Sequence, residues 1–361
     1  MSQRLGDLDR KDVASAKAAE WASKTHRFRE GREGACDPEL RAHYAQASLV
    51  DGARIATTTD GIGTKVEVAE RTRVYDTIAF DLVAMVTDDL AAAGATSLVL
   101  TNVLDVDRID PDVVDALMRG LYAACERARI AVSGGEIAEL GGRVCGYGDG
   151  MHFNWCATAI GHYPPGRPPL TGAALHPGAA IVALASPGFR SNGFSLLRRI
   201  LEGAHGPSWH EVDALGTTWG ARALEPSVIY APLVSDLLDA GVQLLGAAHV
   251  TGGGIPNKLG RILRRTAYGA RLDDLFDPPE SAVLAQRLGA ASDAEVYRAW
   301  NMGQGFLLVC DERAVPEVLA AARAHGHEAK VAGHVDDTRT IRVRSRGIER
   351  AELTFPLETT T

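Results

Sequence analysis

The sequence has no apolar run approaching the roughly 20 residues that a membrane-crossing helix requires. Its opening residues, Met1 to Arg10, are polar and carry no hydrophobic segment of the signal-peptide kind. Cysteine is scarce: Cys36, Cys125, Cys145, Cys156 and Cys310 make an odd count with no C-x-x-C pair. Such scatter argues against a disulfide framework or a zinc site and points to idle thiols in a reducing cytoplasm. There is no G-x-x-x-x-G-K-[ST] phosphate loop, no G-x-S-x-G nucleophile elbow, and no convincing Ser-His-Asp or Cys-His set. An excess of positive charge is missing too: the formal net charge is −8, which disfavours non-specific nucleic-acid binding. The expectation is a cytoplasmic protein with neither a nucleic-acid nor a membrane partner.

What is present is ordinary for a soluble globular chain, with 46% hydrophobic and 23% charged residues. A length of 361 residues suggests two domains at roughly 100 to 200 residues each. The proline-rich link Pro164 to Pro169 is the best boundary. Residues 1–52 read as an N-terminal arm, 53–165 as a first domain, 170–345 as a second and 346–361 as a tail. Strands are expected at 53–60, 97–104, a short buried stretch at 130–133, and 152–160. In the second half they fall at 179–185, 244–248, 306–310, 330–335 and 340–343. Helices are expected at 14–24, 75–94, 111–128 (opened by Pro111), 226–240 and 315–325, with others after the glycine turns at 191–193 and 252–254. Strands and helices mix without strict alternation, which favours an α+β fold.

The chemistry gathers around Thr57 to Lys65, where Asp60, Gly61, Gly63, Thr64 and Lys65 leave a strand together. Glycines admit close backbone approach, a carboxylate suits a hard cation, and a lysine neutralises phosphate oxygens. An Asp-Gly turn would explain part of the same pattern. The helix at 75–94 carries Asp81, Asp88 and Asp89 among apolar residues. Asp81 and Asp88 share one face about two turns, or roughly 10 Å, apart. With Asp60 they could hold Mg²⁺, which takes carboxylates plus phosphate oxygens; solvated aspartates are the plainer alternative. Gly134-Gly135-Glu136 follows a strand, as a ligand-facing or simply tight turn. Ser191-Asn192-Gly193 and Thr251-Gly252-Gly253-Gly254 each precede a helix, where free N–H groups bind anions or where Ser191 and Thr251 act as N-caps. His249 lies beside the second turn.

Taken together these stretches resemble the aminoimidazole ribonucleotide synthetase (phosphoribosylformylglycinamidine cyclo-ligase) family. The matching segments run in order from Thr59–Lys65 through Asp81–Leu90 with Gly94-Ala95, and Gly134-Gly135-Glu136 with Ala138-Glu139. Ser191–Leu196, His249–Gly254 and Asn301-Met302-Gly303 complete them. The resemblance implies a two-domain synthetase fold. Its N-terminal domains would pair into a dimeric barrel with ATP at the interface, and its C-terminal domain would be an α/β sandwich-like unit. It implies an ATP- and Mg²⁺-dependent homodimer of purine biosynthesis acting on a small ribonucleotide. ATP would phosphorylate the amide oxygen of formylglycinamidine ribonucleotide, and an internal nitrogen would close the imidazole ring.

Carried over by position, Asp60, Gly61, Gly63, Thr64, Lys65, Asp81, Gly135 and Glu136 are the nucleotide side, with Asp60, Asp88 and Glu136 as metal ligands. Ser191, Asn192, Gly193, Thr251 and Gly252 are the substrate side, with Lys65 and His249 as catalytic groups and His249 as proton carrier. The chain departs from the family pattern at several places. The arm segment Gly31 to Asp37 lacks the usual glycine-rich aromatic loop, and Leu140-Gly141-Gly142-Arg143 replaces a proline, methionine and tyrosine. Asp88 stands where the family has asparagine, Arg190 where it has histidine, and Gln304 where it has an apolar residue. Alternatives are a divergent relative activating another amide or carboxylate, a small-molecule kinase like thiamine monophosphate kinase, and a silent nucleotide-binding protein.

Overall fold

The computed structural model describes the backbone of residues 2–41 and 43–357, and the side chains of all of these from residue 13 onward. Residues 358–361, the end of the expected tail, lie outside the described residues. Two mixed sheets organise the chain. The first has the order β1-β2-β3-β6-β4-β5: β1 (Ala35–Cys36), β2 (Gln46–Val50), β3 (Ala53–Gly61), β4 (Thr96–Val106), β5 (Ala131–Glu139) and β6 (Phe153–His162). Its pairs are antiparallel except β4 with β5, which are parallel and joined by a crossover helix, as parallel neighbours require.

The helices of this half are α1 (Ser2–Lys24), α2 (Val66–Thr72), α3 (Ile78–Ala92) and the crossover α4 (Pro111–Ala128). Asp110 caps α4 by accepting from the amides of Asp112 and Val113, and Pro111 sits in the first turn, where its missing N–H costs nothing. Gly120 lets α4 lie against the backbone of Asp76, since a Cβ there would collide with that carbonyl. α3 is buried along nearly its whole length, between the first sheet and the second half of the chain.

The second sheet has the order β10-β12-β7-β13-β11-β14-β15. Its strands are β7 (Ala180–Ala185), β10 (Leu244–His249), β11 (Gly269–Leu272), β12 (Gln304–Cys310), β13 (Ala329–Asp336), β14 (Thr340–Arg344) and β15 (Glu352–Pro356). A small hairpin pairs β8 (Asp213–Ala214) with β9 (Thr217–Thr218). The helices are α5 (Phe194–His205), α6 (Trp219–Ala223), α7 (Ala231–Asp239), α8 (Gly254–Leu263), α9 (Glu280–Leu288), α10 (Asp293–Ala299) and α11 (Val315–Ala324). The architecture is mixed α+β with two sheet-centred halves.

Several elements differ from the sequence reading. β1 and β2 come from the stretch read as an arm, and β15 from the stretch read as a tail. The short buried strand expected at 130–133 is a nine-residue exposed edge strand, and Gly134-Gly135-Glu136 runs straight within it rather than turning. Gly135 serves strand packing: a Cβ there would sit 2.7 Å from the Asn102 amide. The helix expected from Pro226 begins at Ala231, with Pro232 in its first turn.

Candidate active site

Ion pairs and hydrogen bonds between the halves centre on α3. Its aspartates are satisfied by cations of the protein itself. Lys65 Nζ lies 2.8 Å from Asp81 Oδ2, and both side chains are 0% exposed. The same ammonium donates to the Glu225 carbonyl at 2.9 Å, and Asp81 Oδ1 accepts from Ser227 at 2.6 Å and Ser191 at 3.2 Å. One turn pair further on, Arg190 Nη2 donates to Asp88 Oδ2 at 3.0 Å, while Asp88 Oδ1 accepts the amides of Tyr230 and Ala231 at 2.8 and 2.9 Å. Arg190 Nη2 also reaches His249 Nε2 at 2.8 Å, and His249 Nδ1 meets Asp89 Oδ1 at 2.8 Å.

Burial sets the electrostatics of this layer. It pushes the Lys65 ammonium below its ordinary pKa, with Asp81 opposing, and the Asp88 carboxyl above the usual range, with His249 and Arg190 opposing. Burial lowers His249 as well. Asp89 is buried too, but the hydrogen bond and charge of His249, with Lys258 and Arg261, hold it below the usual carboxylate range.

The expected nucleotide side divides along the strand period. Asp60 pairs in register with Ala157, Ala157 with Asn102, and Asn102 with Gly135. That row shares one face of the first sheet, the face on which Asn102 is buried and accepts from Trp155 Nε1. Glu136 pairs with Val103, which is exposed, so it belongs to the opposite face. Asp60 accepts its neighbour Gly61's amide at 2.7 Å; burial raises its pKa, and it feels the charges of Asp89, Lys258 and His249. Gly63 and Thr64 are exposed, and Gly63 has φ +71° with open space where a Cβ would be, a backbone corner that a ligand can approach.

This geometry corrects three expectations. Asp60, Asp88 and Glu136 do not form one metal set: the first and last occupy opposite sheet faces, and the oxygens of Asp88 are filled by Arg190 and two amides. Among the described residues no three His, Cys, Asp or Glu side chains gather as a metal cluster. Lys65 is sealed in the domain junction rather than lining an open phosphate site. His249 is enclosed by Arg190, Asp89 and the ring of Phe306, stacked at 6.1 Å.

On the expected substrate side the two glycine turns do meet. A Cβ on Gly252 would lie 2.8 Å from Asn192 Oδ1, and Gly193, at φ +79°, presses against Trp300, whose Nε1 donates to its carbonyl at 3.2 Å. Thr251 is buried beside them, and its carbonyl accepts the Gly254 amide. The sequence reading missed Lys258 and Tyr44. Lys258 lies on α8, where it feels Asp89 and Asp60; Tyr44 donates to the Lys258 carbonyl at 2.6 Å and lies under Arg261, 4.5 Å from its ring centre. A lysine in the helix leaving a glycine run was the available signal for the first; the second had none. Gln304 is a brace: it is buried, accepts from the Phe276 amide and donates to the carbonyls of Phe276 and Met302. Of two cavities of about 540 and 620 Å³, one is lined by Arg71, His210 and Glu225, the residue whose carbonyl Lys65 binds, and the other by Phe80, Arg127 and His327.

An α+β chain of two sheet-centred halves, joined through an aspartate-bearing helix and two facing glycine turns, has solved counterparts. A hydrogenase maturation protein HypE in complex with ATP superposes with a TM-score of 0.56 over 84% of this chain and 85% of that one, at 16% identity. Thiamine-monophosphate kinase from Stenotrophomonas maltophilia gives 0.58 over 82% and 88%, at 20% identity. These likenesses define the fold class alone. Sequence goes further. Residues 44–162 match the N-terminal domain and 176–346 the C-terminal domain of the AIR synthase related proteins. The phosphoribosylformylglycinamidine cyclo-ligase of Sorangium cellulosum is 38% identical over 78% of this chain and 80% of its own. That of Pyrococcus furiosus is 33% identical over 91% and 93%. The chain belongs to the phosphoribosylformylglycinamidine cyclo-ligase family.

Proposed function

We propose that the protein is an ATP-dependent cyclo-ligase that converts formylglycinamidine ribonucleotide to aminoimidazole ribonucleotide in purine biosynthesis. The observation that carries this reading is the match to cyclo-ligases, at 38% identity over 78% of the chain and 33% over 91%. An amide oxygen leaves poorly until it is phosphorylated. ATP supplies the phosphoryl group; the internal nitrogen then attacks the activated carbon, loses its proton, and phosphate departs with the former amide oxygen, leaving ADP. Binding groups for this are the exposed Gly63-Thr64 corner beside Asp60, and the paired turns at Ser191–Gly193 and Thr251–Gly252 at the starts of α5 and α8. The buried pairs of α3 fix those turns against the first sheet. A magnesium ion bound mainly through phosphate oxygens asks the protein for only one or two carboxylates, and Asp60 fits that request. Such an ion would offset charge on the transferring phosphoryl group.

The working unit is read as a homodimer whose first sheets close into a barrel. β5 is an unprotected edge strand, Val103 is 43% exposed on the outer face of the sheet, and Val132 and Ile137 are 44% and 43% exposed along the edge on the other face, apolar groups that an unpaired edge leaves open to a partner. Glu136 belongs to the outer face beside Val103, so it would act at the interface rather than with Asp60. The test is incubation with ATP, Mg²⁺ and formylglycinamidine ribonucleotide. Aminoimidazole ribonucleotide should appear with stoichiometric ADP and phosphate. A phosphorylated product that persists without ring closure, or no turnover despite ATP binding, would refute the reading.

A further inference from the structure

Asp88 and Arg190 are the two family departures that touch each other. They are 102 residues apart in sequence, one on α3 and one ahead of the Ser191 turn, yet they form a buried ion pair at 3.0 Å, with the side chains 0% and 1% exposed. Further bonds hold each side: Asp88 accepts two amides, and Arg190 Nη1 donates to the Val228 carbonyl at 2.9 Å, while its buried Nε is unpaired. Arg190 also holds φ +59°, a left-handed backbone that a non-glycine residue adopts at a cost, so its place is fixed by what the guanidinium reaches. What it reaches, besides Asp88, is His249 Nε2 at 2.8 Å.

That contact decides the histidine's chemistry. A guanidinium has donors only and stays protonated, so Nε2 must present its lone pair to Arg190. The single ring proton then sits on Nδ1, where it is donated to Asp89 Oδ1 at 2.8 Å. A second proton on Nε2 would point at the guanidinium. The charged groups facing the ring are Arg190, Asp89 and Asp88, with Asp60 further off. We propose that Arg190, anchored by Asp88, is a positioning residue that locks His249 as the neutral Nδ1–H tautomer, making it a fixed donor to Asp89 across the domain junction and withdrawing it from proton transfer. Two substitutions away from the family pattern thus act as one unit. The proton released on ring closure goes to a group other than His249; only this last consequence rests on the function proposed above.

Two measurements test the proposal, and the first needs no activity. In ¹⁵N-histidine-labelled full-length protein, the His249 resonances, assigned by their loss in H249Q, should show one proton on Nδ1 and an unprotonated Nε2 at pH 6. A doubly protonated ring or an Nε2–H tautomer would overturn it. In D88N/R190M, which removes both charges together and keeps an acceptor for the two amides, His249 should become doubly protonated at the same pH. A ring unchanged there would show that Arg190 is not the lock. The second measurement is turnover by H249Q, whose amide keeps a donor and an acceptor but cannot carry a proton. The proposal expects kcat to fall by less than about tenfold at unchanged KM, because removing a true proton carrier costs on the order of 100- to 10,000-fold; a larger loss in a folded variant would overturn it. If the wild type proves inactive on formylglycinamidine ribonucleotide, the proposed function fails while the tautomer result still stands or falls by itself.

Discussion

Replacing Lys65 by methionine separates a structural lysine from a phosphate-binding one. In the structure its ammonium is wholly buried, paired with Asp81 at 2.8 Å and bonded to the Glu225 carbonyl at 2.9 Å. Methionine preserves the aliphatic stem and removes the charge. Asp81 would then keep Ser191 and Ser227 on one oxygen but have no counter-charge, in a place with no water to supply one. Breaking a buried pair from one side costs about 3–5 kcal/mol, since the remaining charge is stranded. With a urea m value of about 3 kcal/mol per molar, the unfolding midpoint should fall by about 1 M or more. Removing both charges, as in K65M/D81N, leaves an amide that still accepts from the two serines, and its midpoint should recover to above that of K65M. The assay is urea unfolding followed by tryptophan fluorescence, with m compared between variants. A lysine lining an open phosphate site would behave in the opposite way: K65M would abolish turnover while stability stayed within about 0.5 kcal/mol of wild type, as for surface positions generally. Unchanged stability in K65M, or a double variant less stable than the single, would refute the buried-pair account.

Gly120→Ala places a Cβ against the Asp76 carbonyl, and the overpacking should destabilise by about 1–3 kcal/mol in the same urea assay; an unshifted midpoint would mean α4 lies further from α3 than described. His43 is buried, and desolvation, helped by Arg265 and Arg261, lowers its pKa to about 3. The unfolded chain, with a histidine near 6.5, therefore takes up the proton first, and stability is lost as pH falls from 6.5 toward 3, at about 1.4 kcal/mol per unit. His43→Leu should shrink the stability difference between pH 6.5 and 5 by about 2 kcal/mol; an unaltered slope would assign the acid sensitivity elsewhere. V103D/I137D places charge on both faces of the β4–β5 edge, and sedimentation should then find a monomer where the parent chain is a dimer; a dimer that persists would place the interface on another surface.

Local rules carried the sequence reading where an element is fixed by its own residues. The start of α4 follows from Asp110 and Pro111 alone, and β3 from the run that ends at Asp60-Gly61. Where a distant partner decides, the sequence was mute. Lys65, Arg190 and His249 answer Asp81, Asp88 and Asp89, yet Arg190 is 102 residues from Asp88 and His249 is 160 from Asp89. The pattern of acids on an apolar helix announced that cations were needed but not that the chain would provide them. Gly134-Gly135 resembled a turn because two glycines usually permit one, whereas here Gly135 answers the crowding of Asn102 on the adjacent strand. Pro226 could open a helix as well as Pro232 could; the choice was made by Asp88, which takes the Tyr230 and Ala231 amides at the start of α7.

The departures from the family pattern divide by burial, and the division says where divergence can change chemistry. Asp88, Arg190 and Gln304 are buried, and their charges or amides are met inside the chain, with Arg190 Nε left unpaired: the first two by each other, the third by the Phe276 and Met302 backbone. A buried charge introduced alone would be prohibitive, so such changes persist only as compensated sets. They alter which protonation states the junction allows while leaving its shape intact. Of the other departures, Gly31 to Asp37 runs inward from three exposed residues to the buried Asp37, and Leu140 to Arg143 is exposed at the end of the strand β5. Asp37 is held by Arg54 and the Glu39 amide, and Glu33 by the Asp51 amide, whereas the exposed side chains of Leu140 to Arg143 can follow whatever lies across from them. On the dimeric reading, what lies across from β5 is the second copy, and the residues that set this chain apart from its relatives in nucleotide closure are to be sought on that face, not in the junction that holds His249.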